Sequence, residues 1–186
     1  MQILYIILGV IGLTMTFLGA KWSIKSFRAK EIINFPITHF KKDFEIIKPG
    51  LYALCIVGGA SVNDAGNLRI LIKHKDDQHV VELKEHLIKP RFRKKGKIGV
   101  EYLQFKILHS GRYQIELKNI DNLIVKKSRL TAQQIFQSPL SFENIEISIK
   151  ETITIGKKIF GIIFLVLGIN ASFWGIALSI YPNLFG

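Results

Sequence analysis

The stretch Ile159–Ile180, IFGIIFLVLGINASFWGIALSI, carries no charged side chain. As a helix rising 1.5 Å per residue it spans about 33 Å, enough to cross a hydrocarbon core of about 30 Å with room to tilt. A second uncharged run, Ile3–Ala20, ILYIILGVIGLTMTFLGA, opens the chain; it spans about 27 Å by the same rise. Every Lys, Arg, Asp and Glu lies between Lys21 and Lys158, so the whole formal charge of +12 belongs to the segment between the runs. The 186 residues therefore read as a transmembrane helix over residues 1–22, a basic domain over 23–156 and a second transmembrane helix over 157–182. Trp22 and Tyr181 stand near the ends of the runs, where amphipathic rings favour the interface. The first run is read as an anchor, not a secretory signal, because no Lys or Arg precedes it and the sequence opens on Met1.

Small residues recur at helical spacing in both runs. Gly9, Gly12, Thr16 and Gly19 form one stripe, and Gly161, Gly168, Ser172, Gly175 and Ser179 form the other. Without side-chain bulk, helix backbones approach closely, which is how helices associate in lipid. The two helices are therefore expected to pack antiparallel through these stripes, or one stripe to join copies of the chain into a homo-oligomer. Asn170 lies about 180° around the helix from the second stripe. An amide in hydrocarbon is costly without a partner, so Asn170 is expected to bond another subunit or a bound protein.

The basic residues that flank the runs all face the domain: Lys21, Lys25, Arg28 and Lys30 on one side, and Lys150, Lys157 and Lys158 on the other. The expected location is a bacterial inner (cytoplasmic) membrane, as a multi-pass protein, and the positive-inside rule favours the domain in the cytoplasm over the periplasm, with both termini outside.

Between the runs the hydrophobic period changes to two. Leu51–Val57 is apolar throughout, as in a buried strand, and stops at Gly58-Gly59. Leu68–Ile72 and Val80–Leu83 flank Asp76-Asp77 as a hairpin. Leu103, Phe105 and Ile107 alternate with polar residues, as do Tyr113, Ile115 and Leu117 after the Ser110-Gly111 turn. Leu123–Val125 follows a turn at Asn119–Asn122, and Ile145, Ile147 and Ile149 lead into the second run. Seven to nine strands at these spacings predict a mainly β, antiparallel sandwich, with a short helix in Ser128–Gln137 capped by Thr131. Cys55 is the single cysteine, so the domain is held by its core and has no intrachain disulfide; its place in an apolar strand makes it a core residue.

Gly111-Arg112-Tyr113-Gln114-Ile115-Glu116-Leu117-Lys118-Asn119 resembles the late strand of immunoglobulin-like and related bacterial sandwich domains, where a glycine turn leads into Tyr-x-Ile-x-Leu and then Asn. The resemblance covers about ten residues. It implies an immunoglobulin-like fold and a binding role, and transfers no catalytic residue.

No Gly-x-Ser-x-Gly, His-Glu-x-x-His, phosphate-binding glycine loop or Cys-x-x-Cys occurs. His74 and His79 around Asp76-Asp77 have metal-ligating chemistry, but a hairpin tip is more simply a solvated turn. Glu101 and Glu116 alternate with apolar neighbours and are expected to face solvent. The reading is therefore a non-enzyme with no catalytic residue, no metal and no cofactor. The densest charge is Lys89-Pro90-Arg91-Phe92-Arg93-Lys94-Lys95-Gly96-Lys97, which Pro90 and Gly96 mark as a loop. Arg91, Phe92, Arg93, Lys94, Lys95 and Lys97 are the candidate partner- or lipid-binding residues, with Phe92 as an apolar wedge. Nucleic acid is excluded as partner because one aromatic gives no stacking platform.

A two-span chain of this size without catalytic residues is similar in architecture to bacterial membrane immunity proteins, which neutralise an interbacterial toxin by binding it. The resemblance implies a membrane-anchored protein-binding module. The alternative is a structural subunit of a larger membrane complex for secretion or transport, with Gly9, Gly12, Gly19, Gly161, Gly168, Ser172, Gly175 and Asn170 packing against other helices.

Overall fold

The computed structural model describes residues 2–64, 68–128 and 130–181. The chain divides into two units, one made of both ends and one of Lys30–Thr152.

The end unit is a pair of long helices, α1 (Gln2–Phe27) and α3 (Ile155–Ile180), each long and apolar enough to cross a membrane. The first continues past residue 22 through Lys25, whose ammonium suits the negative end of the helix dipole. Thr154 caps α3, its hydroxyl accepting from the Lys157 N–H at 3.5 Å. That helix starts two residues ahead of the 157 drawn from charge, because the cap and not the last lysine sets the boundary. The boundary drawn at 182 lies outside the described residues.

The middle unit is antiparallel β structure. Among the described residues it holds β1 (Glu31–Pro36), β2 (Lys41–Ile46), β3 (Gly50–Val57), β4 (Ser61–Asp64), β5 (Arg69–His74), β6 (Leu83–Glu85), β7 (Arg91–Lys94), β8 (Lys97–Ile107), β9 (Gly111–Lys118), β10 (Leu123–Lys126) and β11 (Glu146–Glu151). Eleven strands exceed the seven to nine expected, because β1, β2, β4 and β7 are short or carry charge on both faces and show little alternation. A five-residue helix, α2 (Thr131–Ile135), precedes β11. Thr131 opens that helix, and Leu130 takes the cap position assigned to it, without a side-chain cap bond.

Three sheets form. The largest runs β1-β11-β3-β8-β6, with β7 also bordering β8; β2-β9-β5 makes a second and β10-β4 a third. The expected hairpin around Asp76-Asp77 is reduced to one bridge, Lys73 with Val80, after which β6 leaves its sequence neighbour to pair with β8. All three sheets contribute to one core, where Tyr52 stacks on Phe105 at 6.0 Å and Phe44 on Tyr113 at 6.0 Å. β3 is buried on both faces: Leu54 and Ile56 face this core, while Ala53, Cys55 and Val57, pointing the other way, are also fully covered. A bulge opposite Leu54 and Cys55 leaves Tyr102 of β8 as the extra residue.

Candidate functional site

The basic stretch is a hairpin, not a loop. Arg91–Lys94 pairs with Lys97–Val100, and only Lys95-Gly96 turns. Both turn residues have positive φ, 46° and 80°, as a two-residue hairpin matched to strand twist requires. Pro90 precedes the strand and costs no ladder bond inside it.

The hairpin folds over the outward face of the large sheet. Lys94 pairs with Glu31 on β1 and Lys97 with Glu146 on β11, two strands that do not neighbour β8. Arg91 Nε donates to the Ala60 carbonyl at 2.7 Å, and Lys89 pairs with Glu85 while its ammonium lies 4.4 Å above the Tyr102 ring. Phe92 lies over Gly99, where a Cβ would come within 2.5 Å of its ring. The Lys150 ammonium sits 3.6 Å from the Phe92 centroid. Most of the six basic residues are thus engaged within the domain, and Phe92 is a half-buried packing residue, not a free wedge. Arg93 and Lys95 remain exposed.

Under this hairpin Glu101 is buried, contrary to the solvent-facing reading. Its carboxylate meets Lys150 Nζ at 3.0 Å and accepts from the Thr152 hydroxyl at 3.3 Å. Alternation correctly turns Glu101 away from the core, but the face it turns to is itself covered. A carboxylate there needs its paired cation, because a buried unpaired charge is strongly destabilising. At the rim of the same face Glu146 accepts from Lys97 and from Asn34 Nδ2, the latter at 2.6 Å. The Lys97 bond, then the Asn34 bond, hold its carboxyl below the usual range.

The 75–79 turn is ordered. His74 tucks its ring against Tyr113 at 4.8 Å, and its Nδ1 meets Asp77 Oδ1 at 2.9 Å. The His79 N–H, then His74, lower the Asp77 carboxyl. Among the described residues no group of three His, Cys, Asp or Glu side chains is placed to hold a metal.

In the helix unit the two stripes meet. Gly9 faces Gly175, Gly12 faces Ser172 and Gly168, and Gly19 faces Gly161, so the helices run antiparallel. A Cβ on Gly168 would lie 2.6 Å from the Thr16 backbone nitrogen, and one on Gly19 2.7 Å from that of Leu165. Ser172 is buried in the seam and returns its hydroxyl to the Gly168 carbonyl at 2.7 Å. Trp22 stacks on Phe164 at 5.7 Å. Asn170 lies away from the seam, exposed, with its Nδ2 donating to the Val166 carbonyl at 2.7 Å.

One surface is not apparent from the sequence pattern. Register defines two ends of the domain: Glu151 lies opposite Tyr52 at the end where the chain enters and leaves, and Glu146 opposite Val57 at the other. At the far end the 128–140 segment is tied down by Lys126 Nζ to the Gln134 carbonyl, Ser128 N–H to Gln137 and Leu140 N–H to the Val125 carbonyl. It nevertheless exposes Phe136 at 90% and Ile135 at 74%, with Leu130 and, from the β1–β2 turn, Phe40 also exposed. In the sequence Ile135-Phe136 is an apolar pair among glutamines, in a segment too short to show a helical period.

A scan against protein-family models and a search of curated proteins gave no match.

Gly168→Leu drives a side chain into the backbone of α1 and lowers the thermal stability of the detergent-solubilised chain by about 2–3 kcal/mol, whereas an unchanged melting curve means the helices do not pack through this seam. Because its folded-state pKa is depressed, Glu146 contributes stability that is present above its unfolded value of about 4.3 and is lost as pH falls through the lower folded value. Glu146→Gln is therefore less stable than wild type at neutral pH, and the difference closes in acid; a pH-independent difference in denaturant midpoint contradicts this.

Proposed function

We propose that the chain is a non-enzymatic, membrane-anchored protein-binding module, with α1 and α3 crossing a bacterial inner membrane and the domain on the cytoplasmic side. The two sheets β1-β11-β3-β8-β6 and β2-β9-β5 are, on this reading, the layers of an immunoglobulin-like sandwich. Support comes from Tyr113, near the start of β9, whose hydroxyl donates to the His109 carbonyl at 2.7 Å, the kind of upstream bond that sandwich corners use. The observation that carries the binding role is the far end of the domain. Phe136 and Ile135 are held by ordered polar contacts yet left in solvent, and large ordered aromatics are what interface anchors consist of. On this reading the partner is an interbacterial toxin neutralised by binding, and the net charge of +12 favours an acidic one.

The subunit reading draws on a separate observation. Asn170 is on the helix face away from α1, beside exposed Phe173, and its amide is a natural contact for a further helix of a membrane complex or a second copy of this chain.

The test is capture in mild detergent by the full-length chain. Replacing Ile135 and Phe136 together by Asp should reduce the recovered acidic partner roughly tenfold or more while the melting temperature stays put. If recovery depends instead on Asn170 and ignores the double variant, the chain is a complex subunit.

A further inference from the structure

The loops at the anchored end of the domain form a second surface with a different chemistry. Lys30 and Glu151 are adjacent there, the Glu151 N–H donating to the Lys30 carbonyl at 2.8 Å, and the Thr152 N–H donates to the Leu51 carbonyl at 2.9 Å. Gly50 pairs with Ile107, and Ile46 with Gly111. The turns 47–49 and 108–110 therefore project from the end at which the chain leaves for its helices. Each tip presents one large apolar side chain to solvent, Ile47 at 69% exposed and Leu108 at 61%. Exposed Lys48 and His109 follow them directly.

We propose that these two tips rest in the headgroup layer of the same bilayer that α1 and α3 cross, holding the domain against an anionic membrane surface. The inference rests on the membrane-anchored reading above. Chain length supports it. Only residues 28–30 and 152–154 separate strands from helices, and connections of three residues reach at most about 14 Å. The uncharged runs stop at Ala20 and resume at Ile159, so residues 21–30 and 152–158 tether this end of the domain to the membrane-spanning segments. An apolar tip beside a cation is the composition that inserts at an interface.

Both tips are also rigid. The Tyr52 hydroxyl donates to the Lys48 carbonyl at 2.6 Å and the Tyr113 hydroxyl to the His109 carbonyl at 2.7 Å. The two tyrosines are buried, each reaching back four residues, so the same device fixes both loops from the core. A backbone already tied to the core lowers the ordering cost of insertion. The third turn at this end, 75–79, carries Asp76 and Asp77, which assigns the contact to the Ile47 and Leu108 tips. In the helix unit, Lys157 and Lys158 lie in the first turn of α3, at the positive end of its dipole, where anionic headgroups would offset the misfit.

The full-length chain reconstituted in vesicles of mixed phosphatidylcholine and phosphatidylglycerol provides the test. Ile47→Cys, Leu108→Cys, Phe136→Cys and Phe173→Cys variants each take an environment-sensitive fluorophore, while Cys55 stays buried. Probes at 47 and 108 should be quenched by headgroup nitroxides and show roughly fivefold less aqueous iodide quenching than the probe at 136. Iodide access at 47 and 108 equal to that at 136 overturns the proposal while leaving anchoring intact. The probe at 173 must respond to nitroxides deep in the acyl chains; failure there overturns the anchoring and, with it, this inference.

Discussion

Backbone-to-backbone contact between two long apolar helices is the constraint on which the rest depends. In lipid, two apolar helices would gain no hydrophobic reward from joining and would associate only where close packing is sterically open. Gly9, Gly12 and Gly19 on one side, and Gly161, Gly168 and Gly175 on the other, open it. The same constraint fixes what the helices can offer to anything else: their small residues face inward, and the outward surface is Ile, Val, Leu and Phe with the amide of Asn170 among them.

The domain solves a different problem. Its longest hydrophobic strand, β3, lies within the large sheet and needs cover on both sides. One side is the shared core. The other lies under a charged hairpin, whose Lys94 and Lys97 pair with carboxylates on β1 and β11. Charge that looks like an invitation to a partner is to a large extent internal structure. Exposed apolar side chains lie at the two ends of the strands, with Leu87 and Ile88 between β6 and β7 exposed as well.

Much of this is legible in the sequence. The helices are legible because a bilayer-length run without charge suits lipid better than water, and the stripes because a period of three and four survives any context. Strands β3, β8, β9 and β11 are legible from Tyr113-x-Ile115-x-Leu117 and similar alternation. The β7–β8 hairpin is not, since Pro90 and Gly96 have the form of loop punctuation when they are a strand entry and a turn. Glu101 is misplaced by pattern because alternation tells which face a residue takes, not whether that face is covered. Phe136 and Ile135 leave no local signature because exposure of an apolar residue is set by tertiary context. The pairing of β6 with β8 instead of β5 is a long-range choice that local pattern does not encode.

Alkaline carbonate extraction of membranes bearing the full-length chain tests the central claim most directly. Two packed spans predict that the chain stays in the pellet and leaves it only with detergent. Release into the carbonate supernatant would contradict the account.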